Sequence, residues 1–216
     1  MAVRPVFIPN DAVPFYSVVN IDFAWNGGFA VSQKRKNIDA VHNGFRLKNA
    51  DGKPLEISSK SAVELGVKLS AFNLLKYVPE LNKSIPVENV YQAGKVFADG
   101  TNFPDLMLVT PKEAKRDERL KQNGEITGFI FDNQKFPTTP QSLFYDYIYI
   151  NALLENPELA EELVKYNGFT DIEYNPNKSI STQAKSAAIF VSLYKSGLTD
   201  EIKDAEKFKA LFKTKF

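Results

Sequence analysis

The residues of this chain that are best able to do chemistry lie between Val87 and Phe97. In a helix, this segment places four side chains at i, i+3, i+4 and i+7 on one face: Glu88, Tyr91, Gln92 and Lys95. A carboxylate, an amide and an amine along two turns can transfer protons, hold hydroxyl groups and supply a nucleophile. The same spacing is also typical of the solvent-exposed polar stripe of an ordinary amphipathic helix.

The composition restricts the chemistry that is available. The 216 residues include no cysteine and a single histidine, His42, which excludes disulfides, thiolate catalysis, cysteine-ligated zinc and a multi-histidine metal site. No dedicated Mg²⁺ motif is present, and we predict neither a metal nor a cofactor. His42 is expected to be a hydrogen-bonded residue at the edge of the core.

Charge and hydropathy restrict the partners. The net charge is +1, so nucleic-acid binding requires local basic patches rather than a global field. No basic start is followed by a long apolar run, and no apolar stretch approaches the length of a membrane span. We therefore expect a cytoplasmic protein with no membrane partner.

The first third of the chain has strand and turn signals. Residues 14–25 alternate between apolar and polar side chains, which predicts a strand. Asn26-Gly27-Gly28 is a hairpin-type turn signal, with Phe29–Val31 as the predicted return strand. A helix follows around Ile38–Phe45, and a short helix is expected over residues 59–69.

The remainder is predicted to be mainly helical. Thr110-Pro111-Lys112-Glu113 has the residues of a capping box at a helix start. Aromatic and apolar patterns predict helices over Ser142–Leu154 and Ser181–Lys195, and a terminal helix from Thr199. Residues 131–140 are predicted to be a loop.

These elements predict an α+β fold that is rich in helix. We divide the chain into an N-terminal extension, residues 1–60, and a main domain, residues 61–216. The extension is expected to contain a β-hairpin and a helix that pack on the main domain.

Three motifs occur in a fixed order: Leu69-Ser70-Ala71-Phe72, then Glu88 to Lys95, then Thr110-Pro111 to Arg119. Their order and spacing resemble the NADAR (YbiA-like) family. Its signature runs Leu-Ser-Asn-Phe, then Glu-x-x-aromatic-Gln-Ala-x-Lys, then Ser-Pro-x-x-Ala-x-Arg-x-x-Arg. The resemblance covers about residues 65–198 and implies a NADAR-like main domain.

Two N-terminal segments, Gly28 to Lys34 and Leu55 to Ser61, resemble the branch of NADAR proteins that is paired with DarT-type toxins. That branch is believed to remove ADP-ribose from the exocyclic amine of guanine in DNA, and thereby to act as an antitoxin. The resemblance implies an N-glycosidic-bond hydrolase. Its partners would be ADP-ribosylated DNA or ADP-ribose, and a DarT-type toxin.

The resemblance also implies roles for individual residues. Lys95 would attack the ribose or form an imine with it, while Glu88 would transfer protons or stabilise developing positive charge. Gln92 would hydrogen-bond ribose hydroxyl groups. Lys112, Lys115, Arg116 and Arg119 recur at i, i+3, i+4 and i+7, a spacing that fits either a phosphate clamp or a solvated basic face. Arg116 and Arg119 match the family pattern and are preferred to the lysines as clamp residues. The remaining candidate substrate-binding residues are Ser70, Phe72, Tyr91, Phe136 and Asn177.

Two departures from the family pattern leave other functions open. Ala71 replaces the usual Asn, and Pro176–Ser181 lacks the usual Asp and Trp but keeps Asn177. An aromatic residue such as Phe136 would then stack on the base in place of the missing Trp. The alternatives are an N-glycosidase that acts on a riboflavin-pathway intermediate, and a non-catalytic protein that binds the toxin or ADP-ribosylated DNA.

Overall fold

The computed structural model describes residues 1–175 and 182–213 and confirms the α+β fold. The strands are β1 (Ala2–Pro9), β2 (Tyr16–Phe23), β3 (Pro54–Glu56), β4 (Leu75–Val78), β5 (Lys83–Pro86), β6 (Lys95–Phe97), β7 (Ile126–Phe131), β8 (Gln134–Phe136) and β9 (Gly168–Thr170). The α-helices are α1 (Val31–Lys48), α2 (Glu64–Lys68), α3 (Val87–Ala93), α4 (Pro111–Arg116), α5 (Arg119–Gln122), α6 (Leu143–Leu154), α7 (Pro157–Leu163), α8 (Gln183–Lys195), α9 (Thr199–Lys203) and α10 (Ala205–Leu211). Short 3-10 helices cover Pro79–Leu81 and Pro104–Leu108.

The largest sheet joins distant parts of the chain. Its strand order is β2-β1-β9-β3. β1 pairs with β2 in antiparallel register along its whole length and meets β9 through Phe7 and Phe169, while β3 runs parallel to β9. The sheet therefore combines three strands of the proposed extension with β9 of the proposed main domain. The division of the chain at residue 60 stays a prediction.

Two smaller sheets lie on either side of α3 in the sequence. β4 and β5 form an antiparallel pair immediately before the helix. β6 follows it and pairs with β7, which in turn pairs with β8. As a result α3 is held between two antiparallel sheets whose strands are continuous with its ends.

The main core is built around α6 and α8. Every residue from Leu143 to Leu153 is buried, as is every residue from Gln183 to Leu193. The predicted aromatic helix and the predicted core helix are thus confirmed, with ends shifted by one or two residues. A second core forms where α1 packs on the outer strands of the large sheet, through Val41 and Phe45 against Val6 and Ile21.

The hairpin predicted at the Asn26-Gly27-Gly28 turn is wrong. Phe29 is exposed and Val31 begins α1, so there is no return strand after the Asn26-Gly27-Gly28 turn. β2 instead pairs with β1, the strand that precedes it in the sequence, because residues 2–9 supply a strand of matching length. The sequence signals at 14–25 located β2 correctly but assigned it the wrong partner.

Smaller differences occur elsewhere. The predicted loop 131–140 contains β8, which extends the sheet of β7. The helix expected over 59–69 is confined to α2, and the terminal helix is divided into α9 and α10 at Asp204, which caps α10 by accepting from Lys207 N. The capping box at Thr110 is present in full.

Gly94 links α3 to β6, and a substitution at this position tests how closely the junction is packed. A Cβ at this position would lie 2.6 Å from Phe144 Cζ and 3.0 Å from the Ile130 carbonyl oxygen. Gly94→Ala should lower the free energy of unfolding by about 1–3 kcal/mol, because a buried ring and a backbone atom must move. Urea denaturation measures this loss. Gly27→Ala is the control, since its Cβ would meet nothing within 4 Å; equal stability of the two variants would contradict the close packing.

Candidate active site

The helix predicted over residues 87–97 ends earlier than expected. α3 stops at Ala93, and Lys95 is the first residue of β6. The cause is the neighbouring sheet: Ile130 N donates to the Gly94 carbonyl at 2.8 Å, and Lys95 pairs with Phe129. The backbone of Gly94 and Lys95 is therefore engaged in strand pairing, where a further helical turn was predicted.

The predicted polar groups nevertheless form one connected line. Lys95 Nζ donates to Gln92 Oε1 at 2.6 Å, and Gln92 Nε2 donates to Glu88 Oε1 at 2.7 Å. The other Glu88 oxygen, Oε2, lies 3.5 Å from Lys115 Nζ. Glu88 and Gln92 are each only 5% exposed, whereas Lys95 is half-buried and Lys115 is exposed. The two middle side chains are buried and the lysines at the two ends are more exposed, which is not the arrangement of a solvated stripe.

Backbone hydrogen bonds fix the position of Glu88. Its amide donates to the Ala71 carbonyl at 2.9 Å, and the Ala71 amide donates to Gln183 Oε1 at 2.7 Å. Gln183 Nε2 in turn donates to the Ile57 carbonyl. The Leu-Ser-Ala-Phe turn thus ties the start of α3 to α8 and to the end of β3, and it does so through backbone groups that any residue at position 71 provides.

The side chains of the same turn have different surroundings. Ser70 is buried; its carbonyl accepts from the amides of Asn73 and Leu74, and its Oγ accepts from the Phe72 amide at 3.4 Å. These bonds are those of a turn-stabilising serine. Phe72 is half-buried, and Lys115 Nζ lies 5.2 Å from its ring centroid. Phe72 therefore borders the polar line, whereas Ser70 supports the turn.

The ring of Tyr91 lies beside the amine of Lys95. The Lys95 Nζ is 5.1 Å from the centroid of that ring. Tyr91 is stacked on Phe129 and Phe144 and meets Tyr145 edge-on at 5.2 Å, so its ring is held within an aromatic cluster. Tyr91 therefore presents a flat ring face beside the amine.

These surroundings change the protonation of Lys95. Burial lowers the pKa of the Lys95 amine, since the charged form loses hydration. The carboxylate of Glu88 opposes this shift, and the nearby charge of Lys115 adds to it. The net direction is downward, so a larger fraction of Lys95 is the neutral, nucleophilic amine than in a fully hydrated lysine.

The expected arginine clamp is only partly compatible with the structure. α4 ends at Arg116, and Arg119 belongs to α5, so the four basic residues 112, 115, 116 and 119 do not share one helical face. The Arg119 guanidinium is held by Asp105 and Asp117, at 2.7 and 2.8 Å. Arg116 is exposed. The cation that reaches Glu88 is Lys115, which the sequence pattern ranked below the arginines.

Phe136, another predicted binding residue, lies apart from this line. Phe136 is 2% exposed and packs against Phe144 and Tyr147, so it belongs to the aromatic core. Asn177 lies outside the residues that the structure describes. Of the predicted set, the structure brings together Glu88, Gln92, Lys95, Tyr91 and Phe72, and it adds Lys115.

A second ion pair is buried beside the aromatic core. Asp146 Oδ2 lies 3.1 Å from Lys185 Nζ, and Asp146 Oδ1 accepts from Ser186 Oγ at 2.6 Å. Ser142 Oγ also donates to Asp146 at 2.8 Å. With its oxygens occupied in this way, Asp146 joins α6 to α8. In the sequence Asp146 is a polar residue among aromatic ones, which fits a site carboxylate or a surface residue; in the fold it is held in a buried ion pair.

His42 has the predicted role. Its Nε2 lies 2.9 Å from Thr170 Oγ1, which donates to the buried carboxylate of Glu56. Burial lowers the pKa of His42 to about 4, with a smaller contribution from Arg46. Burial raises the pKa of Glu56. This polar cluster ties α1 to β3 and β9.

A cavity of about 370 Å³ lies away from α3. Its walls include Lys76, Phe131, Tyr147 and Glu155, and Lys76 is neutralised there by Glu155 at 2.5 Å. Within residues 1–175 and 182–213, no three His, Asp or Glu side chains are gathered so as to hold a metal ion. None of the described helices has the length and apolar character needed to cross a membrane.

Comparison with known proteins points to one family. Residues 2–216 match the model of the family described as DarT1-associated NADAR antitoxin, which is essentially the whole chain. No curated protein is significantly similar to the chain.

The electrostatic balance at Lys95 is testable by substitution. Lys115→Gln should raise the pKa of Lys95, because a positive neighbour is removed, and Glu88→Gln should lower it, because the protonated amine loses its carboxylate. The measurement is the pH dependence of Lys95 acetylation by acetic anhydride, followed by peptide mass spectrometry. Lys112→Gln, on the same helix as Lys115, is the control. If Lys95 reacts with the same pH dependence in all three variants, the charges do not act as described.

Proposed function

The chain belongs to the family of DarT1-associated NADAR antitoxins, and we propose that it performs this role by hydrolysing the N-glycosidic bond between ADP-ribose and guanine in DNA. The observation that carries the proposal is the hydrogen-bonded line from Glu88 through Gln92 to a partly desolvated Lys95. A carboxylate and an amine of lowered pKa are the two groups that this reaction needs. The proposed substrate is ADP-ribosylated DNA, and a DarT-type toxin is the proposed source of the modification.

The reaction begins at the anomeric carbon of the ribose. The bond from this carbon to the guanine amine breaks, its electron pair leaves with the guanine nitrogen, and positive charge develops on the ribose. As a carboxylate, Glu88 stabilises that charge, and the departing nitrogen takes its proton from water; in its protonated form, Glu88 passes its own proton to that nitrogen. The low exposure of Glu88 strengthens the first effect, since little water screens the carboxylate.

Lys95 then supplies the nucleophile. Its neutral amine bonds to the anomeric carbon and passes one proton to the Glu88 carboxylate or to water. The bond from this carbon to the ring oxygen then breaks, a second proton moves from the nitrogen to that oxygen, and an imine forms. Water adds to the imine carbon, the carbon–nitrogen bond breaks as the nitrogen regains its protons, and ADP-ribose is released with Lys95 restored. Burial of the amine favours the neutral form that the first step requires.

Gln92 is a positioning residue in this mechanism. Its amide oxygen accepts from Lys95 and its amide nitrogen donates to Glu88, so both ends are engaged. This differs from the predicted contact with ribose hydroxyl groups, because the amide instead keeps the acid and the amine at a fixed separation. Lys115 and Phe72 lie at the exposed end of the line, which supports a role for both in contacting the substrate.

The proposal predicts that two substitutions stop turnover. Lys95→Ala and Glu88→Gln should each slow the release of ADP-ribose from a guanine-ADP-ribosylated oligonucleotide by about 100-fold or more, because each removes a group that acts in the transition state. Chromatography of free ADP-ribose measures the rate.

Lys83→Ala and Glu80→Gln, on the exposed β4–β5 hairpin, are the matched controls and should keep full activity. Full turnover by Lys95→Ala would contradict the covalent role. Binding of the oligonucleotide by the wild-type protein without release would instead indicate a non-catalytic binder. Release only from a small phosphorylated riboflavin precursor would indicate the other glycosidase activity.

A further inference from the structure

The loop between β2 and α1 presents an aromatic side chain to solvent. Phe29 is 99% exposed. The base of the loop is fixed by the fully buried Asn37, whose Oδ1 accepts from the Asn26 amide at 2.7 Å and whose Nδ2 donates to the Asn26 carbonyl at 2.9 Å. Gly28, just before Phe29, adopts a φ of +111°, a backbone conformation that favours glycine. The protein therefore holds this ring out from its surface on an anchored loop.

The residues after Phe29 are basic. The first two turns of α1 contain Lys34, Arg35 and Lys36, and within α1 no acidic residue precedes Asp39. Lys34 is paired with Glu173 at 3.2 Å. Arg35 and Lys36 are exposed, and in residues 1–175 and 182–213 no carboxylate forms an ion pair with either. Two exposed cations thus lie close in the sequence to an exposed aromatic ring.

This segment is connected to the candidate active site by a short series of contacts. The Arg35 guanidinium donates to the carbonyls of Lys60 and Ser61, each at 3.4 Å. That loop follows Ile57, whose carbonyl accepts from Gln183 Nε2, and Gln183 also binds the turn that holds the Glu88 amide. The basic segment and the start of α3 are therefore attached to the same small set of loops.

We propose that residues 25–36 bind the single strand of DNA that flanks the modified guanine. Phe29 stacks on an unpaired base, and Arg35 and Lys36 contact phosphates. The positive charge selects a polyanion, and an exposed ring beside it is the combination that binds single strands with little sequence preference. The claim that the bound strand is the substrate DNA rests on the proposed function. The claim that this segment binds a DNA strand is independent of it.

The first test measures binding without any reaction. Fluorescence anisotropy with a labelled, unmodified single-stranded oligonucleotide should show that Phe29→Ala raises Kd by about 5-fold or more, the loss expected for one stacked base. The double substitution Arg35→Gln and Lys36→Gln should also raise Kd and should reduce the dependence of Kd on salt. Leu47→Ala and Arg46→Gln, at the exposed far end of α1, are the controls and should bind as the wild type does.

The second test separates strand binding from catalysis. With an ADP-ribosylated oligonucleotide, Phe29→Ala should lower kcat/KM by a similar factor through KM. With ADP-ribosylated guanosine, which has no flanking strand, it should match the wild type. A loss on both substrates would show that Phe29 acts on the site or on folding, and would overturn the proposal.

The outcomes distinguish this inference from the proposed function. Phe29-dependent binding without any release of ADP-ribose would refute the hydrolase and leave the DNA-binding segment standing. Release of ADP-ribose with equal Kd and KM for Phe29→Ala, Leu47→Ala and the wild type would refute the segment and leave the hydrolase. If the wild type does not bind the oligonucleotide, or if Phe29→Ala weakens binding only to the purified toxin, the proposal is likewise overturned.

Discussion

One amide, that of Gln92, joins the two ionisable groups on which this account depends. It accepts from the Lys95 amine and donates to the Glu88 carboxylate, so the distance between them is set by a single side chain on α3. The arrangement requires the chain to leave the helix at Gly94, because Lys95 approaches Gln92 from a strand rather than from the next helical turn. Two features hold the chain in place where the helix ends: Gly94 packs closely against Phe144, and β6 pairs with β7. The geometry of the site is thus a consequence of how α3 ends.

The electrostatics of the site follow from where its groups are buried. A fully hydrated pair of lysine and glutamate would favour the charged amine. Here burial beside the Tyr91 ring desolvates Lys95, and the second lysine, Lys115, lies close to the same carboxylate. Burial and a neighbouring cation therefore both favour the neutral, nucleophilic amine. The same packing supplies flat surfaces beside the reacting position.

The sequence predicted the identity of the central side chains better than the geometry that joins them. Helical spacing grouped Glu88, Gln92 and Lys95 correctly, although Lys95 lies in a strand, because residues one turn apart also meet across a helix end. Pairing between distant segments could not be predicted: β2 was located, but its partner β1 precedes it, and a turn signal suggested the wrong neighbour. The ion pair of Arg119 with Asp105 could not be predicted for a similar reason, since Asp105 is distant in the sequence and approaches only in the folded chain. Periodic patterns in the sequence predict local helices and strands. The pairing of strands and the partners of side chains depend on contacts between residues that are far apart in the sequence.

The central claim is that Lys95 forms a covalent bond to the ribose, and reductive trapping tests it most directly. The protein is mixed with a guanine-ADP-ribosylated oligonucleotide and sodium cyanoborohydride, and its peptides are analysed by mass spectrometry. The account predicts ADP-ribose attached to the peptide that contains Lys95, formed only when reductant is present and absent from Lys95→Arg. Turnover by the wild type with no adduct on Lys95, or with the adduct on Lys115 instead, would contradict it.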